Sequence, residues 1–210
     1  MSQHLDATIL EKIVFFAQKA SEDKLVCLTQ GNISAKDPQT GYIAITPHDS
    51  PYESMSTADL VIVNERGEKV FGENDPSFET PVHCMVYRSR TDVMAIVHTE
   101  PAYVNVLGAL NRELPPLTVT MLKASRGTIP IMPHKLSGSK EFASEMLQIM
   151  GARNAIIWQN HGMLVVGPSV EKAYGRSVIV EQGAQMYLQC LLLGQPQTLE
   201  HIDPNLFNEN

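Results

Sequence analysis

Met94-Ala95-Ile96-Val97-His98-Thr99-Glu100 is the stretch from which the fold of this chain can be read. Its apolar run is short and lies between Arg90-Thr91-Asp92 and Pro101. A run so bounded predicts a buried strand. Residues i and i+2 of a strand point to the same face, so His98 and Glu100 emerge from its end side by side. An imidazole and a carboxylate so placed can seat two ligands of a divalent metal, provided a third arrives from elsewhere. The candidate third is His161, in Ala155-Ile156-Ile157-Trp158-Gln159-Asn160-His161-Gly162, again an apolar run with a polar tip. Two strands carrying polar groups at their ends predict a site at one edge of a sheet. Taken alone, His98 also reads as a histidine satisfied at a strand end.

The 210 residues suffice for one substantial core, and a single domain over residues 1–195 followed by a polar tail over 196–210 is expected. A net charge of −7, without a local Lys/Arg stripe, argues against nucleic acid as a partner. No apolar run is long enough to cross a membrane, and Asp6, Glu11 and Lys12 break up the N-terminal apolar residues, so no signal peptide is expected. Cys27, Cys84 and Cys190 are odd in number and lack ligand-like spacing, which points to reduced thiols and a cytoplasmic protein.

Around the central strand, apolar periodicity predicts a helix over residues 7 to 22. The turn Thr29-Gln30-Gly31-Asn32 leads into a strand through Ala35; these residues can bind a ligand through backbone and amide, or be a plain turn. A strand over 42 to 46, paired strands at 60 to 63 and 69 to 71, and a helix from Thr80 to Ser89 follow. Glu79 stands just before that helix, where a carboxylate could serve simply as its cap. Beyond Pro101 the pattern predicts a helix over 102 to 110 and strands over 117 to 121 and 128 to 132. A helix over 139 to 150, with Ser137 or Ser139 as its cap, precedes strands on both sides of Asn160-His161-Gly162 and a long helix over 169 to 192. Strands and helices do not alternate regularly, which favours an α/β protein with a mainly antiparallel sheet over a doubly wound parallel one. No Gly-x-Gly-x-x-Gly or Gly-Lys-Ser/Thr phosphate loop is present.

In order, Gly31-Asn32-Ile33-Ser34-Ala35, Ile45-Thr46-Pro47, Pro51-Tyr52-Glu53, Pro76-Ser77-Phe78-Glu79, Val97-His98 and Asn160-His161-Gly162 form a pattern that resembles the class II aldolase/adducin family. The resemblance spans about residues 7 to 193. It implies a three-layer α/β/α domain, a homotetramer with active sites at subunit interfaces, and a catalytic divalent metal, usually zinc. It also implies Glu79 as the acid/base that can approach the metal, and metal ligands at His98, Glu100 and His161. The family's second histidine is Glu100 here, which should favour harder ions such as manganese or iron(II). Gly31, Asn32 and Ser77 fall on the substrate cradle, and Thr120 falls where some aldolases carry a tyrosine.

The resemblance implies a metal-dependent carbon–carbon lyase, of aldolase or decarboxylase type. Its substrate would be a small hydroxy-carbonyl or sugar-like compound, handled through an enediolate. A sugar-phosphate aldolase or 4-epimerase is the alternative within the family, and a non-catalytic adducin-like interaction domain the alternative outside catalysis. His48-Asp49 and Phe78 replace small or donor-bearing residues of the family's phosphate cradle, so an unphosphorylated substrate is expected. Lys123 and Arg126 are the cations that could reach a phosphate from a neighbouring segment.

Overall fold

The 94–100 run forms β5 (Ala95–Thr99), and every residue of it is buried. The computed structural model describes residues 5–207; residues 1–4 of the expected domain and 208–210 of the expected tail lie outside the described residues. Around β5 the other strands are β1 (Asn32–Lys36), β2 (Ile43–Ile45), β3 (Val61–Val63), β4 (Lys69–Phe71), β6 (Ile131–Met132), β7 (Ala155–Trp158) and β8 (Gly162–Gly167). They make one sheet in the order β4-β3-β2-β1-β5-β8-β7-β6. All pairings are antiparallel except β6 with β7. The helix α5 (Lys140–Met150) connects that pair, as a parallel crossover requires.

Alternation along β5 assigns the two faces. Ile96 packs with Ile43, Val61, Trp158 and Leu164 under α5 and α2 (Thr80–Ser89). Ala95 and Val97 point the other way, into a core with Ile13, Ala17 and Ala20 of α1 (Ala7–Glu22) and the start of α6 (Val170–Leu193). A third cluster joins β7 and β8 to α3 (Ala102–Ala109), α4 (Val119–Ser125) and α6. Helices therefore cover both faces, and the fold is the expected three-layer α/β/α arrangement. Hydrophilic caps fix where helices begin: Asp6 accepts from the Thr8 amide, Ser139 from Phe142 and Ser169 from Lys172.

The expected strand over 117 to 121 is instead the start of α4. Thr118 accepts a hydrogen bond from the Met121 amide at 3.1 Å, and Met121, Leu122, Ala124 and Ser125 turn inward together. A side-chain cap and a buried helical face thus override the strand preference of Thr118-Val119-Thr120. The expected strand over 128 to 132 shortens to Ile131–Met132. Pro130 cannot donate to a ladder, which limits pairing at its start. The tail folds back, with the Leu199 amide on the Pro116 carbonyl at 2.9 Å, and contains a 3-10 turn at Pro204–Phe207. Among the described residues no helix is long and apolar enough to cross a membrane.

Candidate metal centre

The site lies where β1, β5 and the β7–β8 hairpin end beside the N-terminus of α2. Asn32 and His98 are direct partners across the β1–β5 ladder, and His98 lies opposite Leu164 across β5–β8. His98 shares the face of Ile96, so its ring points towards α2. There it stacks on Trp158 with centroids 4.5 Å apart and planes 29° apart. Its Nδ1 lies 2.9 Å from the Met163 carbonyl oxygen. A carbonyl only accepts, so Nδ1 carries the proton and Nε2 keeps a lone pair for the site.

His161 follows Asn160, which adopts a left-handed backbone at φ 57° in the β7–β8 turn. Gly162 lets that turn press against β5: a Cβ there would meet the Thr99 carbonyl oxygen at 2.4 Å. Gly31 does the same from β1, with φ 78° and a hypothetical Cβ 2.5 Å from the His98 carbonyl oxygen. Both glycines therefore permit close approach to the end of β5.

Glu79 occupies the N-cap position of α2, but its side chain makes no capping hydrogen bond. Its Oε2 instead accepts from the Asn32 amide at 2.8 Å and lies 3.4 Å from His98 Nε2. Its Oε1 lies 3.5 Å from His161 Nε2. Ligand atoms of Glu79, His98 and His161 all fall within 4.8 Å of one another. Glu100 adds a second carboxylate, with Oε1 4.0 Å from His98 Nε2 and 3.8 Å from His161 Nε2. All four expected side chains converge, and Glu79, rather than Glu100, completes the tightest group.

Burial tends to raise the Glu79 carboxyl, but His98, the Asn32 amide and His161 outweigh it and hold the group below its ordinary value. Glu100 is raised by burial, drawn back by His98 and pushed further up by Glu79. Burial pushes His161 down to about 4, with His98 adding to the effect and Glu79 opposing it. A neutral imidazole and ionised carboxylate are the states in which such groups bind a cation. Two imidazole nitrogens and two carboxylates, with the His98 tautomer fixed from behind, fit a divalent ion.

These groups floor a cavity of about 230 Å³. Gly31, Asn32 and Ser77 line it, together with Thr29, His48 and Asp49. The sequence reading did not anticipate Ser137, which lines the cavity and helps hold the Glu79 carboxyl down. It was noted only as a possible helix cap, a role that Ser139 fills. Thr120, Lys123 and Arg126 line a different cavity with Arg176, and none of the three lines this one.

Residues 11–188 match the family described as Class II Aldolase and Adducin N-terminal domain. The chain belongs to that family. It is 33% identical over 190 residues to a 5-deoxy-D-ribulose 1-phosphate aldolase of Bacillus thuringiensis, covering 90% of this chain and 88% of the relative. It is 31% identical over 168 residues to the L-fuculose phosphate aldolase of Escherichia coli K12, covering 80% and 77% of the two. A solved L-fuculose 1-phosphate aldolase superposes with a TM-score of 0.92 at 27% identity, over 98% of this chain and 97% of that one. Within the class II aldolase fold the chain retains a metal-ligating triad, and it is a metal-dependent enzyme of the aldolase-type lyases.

Proposed function

We propose that this class II aldolase cleaves and forms the Cα–Cβ bond of a small β-hydroxy-carbonyl compound. The observation that carries this reading is the convergence of Glu79, His98, Glu100 and His161 on one cavity. His98, His161 and Glu100 would hold the divalent ion, and Glu79, although it completes the tightest group of ligand atoms, would serve as the proton carrier beside it. When bound, the ion supplies Lewis acidity towards the hydroxyl and carbonyl oxygens of the substrate. In the cleavage direction Glu79 takes the proton of the β-hydroxyl as the carbon–carbon bond breaks. The electron pair of that bond stays with the fragment that keeps the original carbonyl, and Glu79 then returns the proton to its α-carbon. The Asn32 amide, 2.8 Å from Oε2, aims the carboxylate so that Oε1 does this work.

Zinc suits the imidazole ligands, whereas the Glu100 carboxylate favours manganese or iron(II), and metal reconstitution separates them. A homotetramer is proposed as well, supported by the exposed apolar side chains Tyr103, Val106 and Leu110 along α3 and Val119 on α4. Native mass spectrometry tests it. The free thiols Cys27, Cys84 and Cys190 support a cytoplasmic setting.

Cleaving a ketose 1-phosphate, as the named relatives do, between C3 and C4 leaves a three-carbon ketone bearing the phosphate. Dihydroxyacetone and dihydroxyacetone phosphate are therefore the probes of choice. Metal-loaded protein in deuterium oxide should exchange a hydroxymethyl C–H of at least one of them, followed by proton NMR. Protein shown to carry metal that exchanges neither compound would refute the lyase reading.

A further inference from the structure

The outer end of the metal cavity is built from two short segments tied to each other. The His48 amide donates to the Asp75 carbonyl at 3.0 Å, and Pro47 and Pro76 form an isolated bridge. Above that tie the rings of His48 and Phe78 lie 3.9 Å apart at 47°, with Phe78 73% exposed. That pair adds ring surface to the cavity wall, and Phe78 brings no donor to it.

Asp49 beside them holds a left-handed backbone at φ 51°, and its Oδ1 accepts from the Thr29 hydroxyl at 2.7 Å. The Thr29 proton is thereby withdrawn from any ligand, while Asp49 keeps lone pairs to offer. Asn32 shows the same polarity. Its amide nitrogen is committed to Glu79, and its Oδ1 is buried without a hydrogen-bond partner among the described residues.

Charge points the same way. Asp49, Glu79 and Glu100 line the cavity, and none of its described lining residues is Lys or Arg. Three carboxylates exceed the charge of one divalent ion, so a phosphate monoester bringing about −1.5 to −2 more meets net repulsion.

Resting on the lyase reading, we infer that this site selects a substrate with an uncharged, hydroxyl-bearing tail, with Asp49 and the His48–Phe78 pair as the selecting groups. Discrimination comes from a repulsive carboxylate and an apolar ring as much as from attraction. The substrate class is then an unphosphorylated hydroxy-ketone or ketose.

The test compares dihydroxyacetone with dihydroxyacetone phosphate in wild type, Asp49→Asn and the double variant Asp49→Asn/Phe78→Ser. Asparagine tolerates the left-handed backbone and keeps the shape of Asp49, so the single variant guards against loss of folding in the double. Wild type should exchange dihydroxyacetone with an efficiency about tenfold or more above the phosphate. Both variants should move that ratio towards the phosphate, the double variant by about tenfold or more. Calorimetric titration of the metal-free protein with the same two compounds reads tail preference without turnover. Wild type that prefers the phosphate in exchange, or binds it more tightly in calorimetry, overturns the inference and leaves the lyase standing. Absence of exchange with both compounds removes the lyase reading, and the calorimetric preference then decides the tail by itself. Variants that leave both preferences unchanged likewise overturn the inference.

Discussion

His98 Nδ1 lies 2.9 Å from the carbonyl oxygen of Met163, which precedes its ladder partner Leu164 on β8. Backbone pairing therefore determines which ring nitrogen faces the cavity. The same ladder seats Thr99 opposite Met163, so the strand that carries His98 also fixes the acceptor behind it. A ligand held in this way loses little freedom when an ion binds, which is how a supporting partner strengthens a metal site.

The metal set follows from this geometry. His98→Ala and His161→Ala should each abolish stoichiometric retention of a divalent ion. Glu100→Ala should weaken it by at least about tenfold, since even supporting partners of ligands are worth about 10–100-fold. Inductively coupled plasma analysis after dialysis against graded chelator reads all three. An unaltered metal affinity in Glu100→Ala would remove Glu100 from the ligand set and leave Glu79, His98 and His161 as its members.

Glu79→Gln keeps the shape of the side chain and abolishes its titration. Exchange of the responsive probe should fall by about 10²–10⁴, the range of a principal acid/base group. Asn32→Ala should cost less, on the order of tenfold, because the proton carrier remains and only its aim is lost. Turnover of Glu79→Gln within a factor of ten of wild type would contradict the assigned role.

The backbone is constrained as closely as the side chains. Gly31→Ala places a Cβ 2.5 Å from the His98 carbonyl oxygen at φ 78° and should cost about 2–4 kcal/mol of stability. Gly175→Ala is the control, because nothing lies within 4 Å of a Cβ added there inside α6. That change should be neutral or stabilise by about 0.5–1 kcal/mol. Urea midpoints of the two variants should therefore move in opposite directions or differ widely. Equal midpoints would show that β5 and the Gly31 turn have slack the structure does not contain.

Much of this fold was legible because β5 has apolar residues facing both layers, and few other placements accommodate such a run. The nearness of His98 and Glu100 was legible for the same reason, since period-two geometry puts the two on one face. Thr118-Val119-Thr120 misled, because β-branched residues favour strands until a threonine cap and a buried helical face outweigh them. The relation of Glu79 to the two histidines was beyond periodicity. It depends on where α2 docks against β5, which is tertiary, and only the family pattern pointed to it. Ser137 and the Thr29–Asp49 hydrogen bond join loops distant in sequence, and no local signal announces such contacts.

Acid sensitivity provides the last prediction. The His83 imidazole, buried against Ser34 with Nδ1 2.7 Å from the hydroxyl oxygen, is pushed down to about 3. Burial is the main cause; Glu79 opposes it and His98 adds to it. In the unfolded chain the same group titrates at its ordinary value of 6.5. Above that value both states are neutral, and the stability contributed by a neutral His83 is fully present. As pH falls below it, the unfolded chain gains a proton that the native state refuses, and stability drops by about 1.4 kcal/mol per pH unit. His161, lowered to about 4, adds a second such proton in the metal-free protein. In metal-free protein these two histidines should together contribute a loss of up to about 2.7 kcal/mol per pH unit between pH 6.5 and 5, which the raised Glu100 and Glu181 carboxyls oppose. His83→Gln keeps a polar group beside Ser34 and removes one titration, so its slope should be smaller by about 1.4 kcal/mol per pH unit, whatever its absolute stability. Urea unfolding at closely spaced pH values measures both slopes. Identical slopes in the two proteins would mean that His83 takes up its proton in the folded state as readily as in the unfolded one.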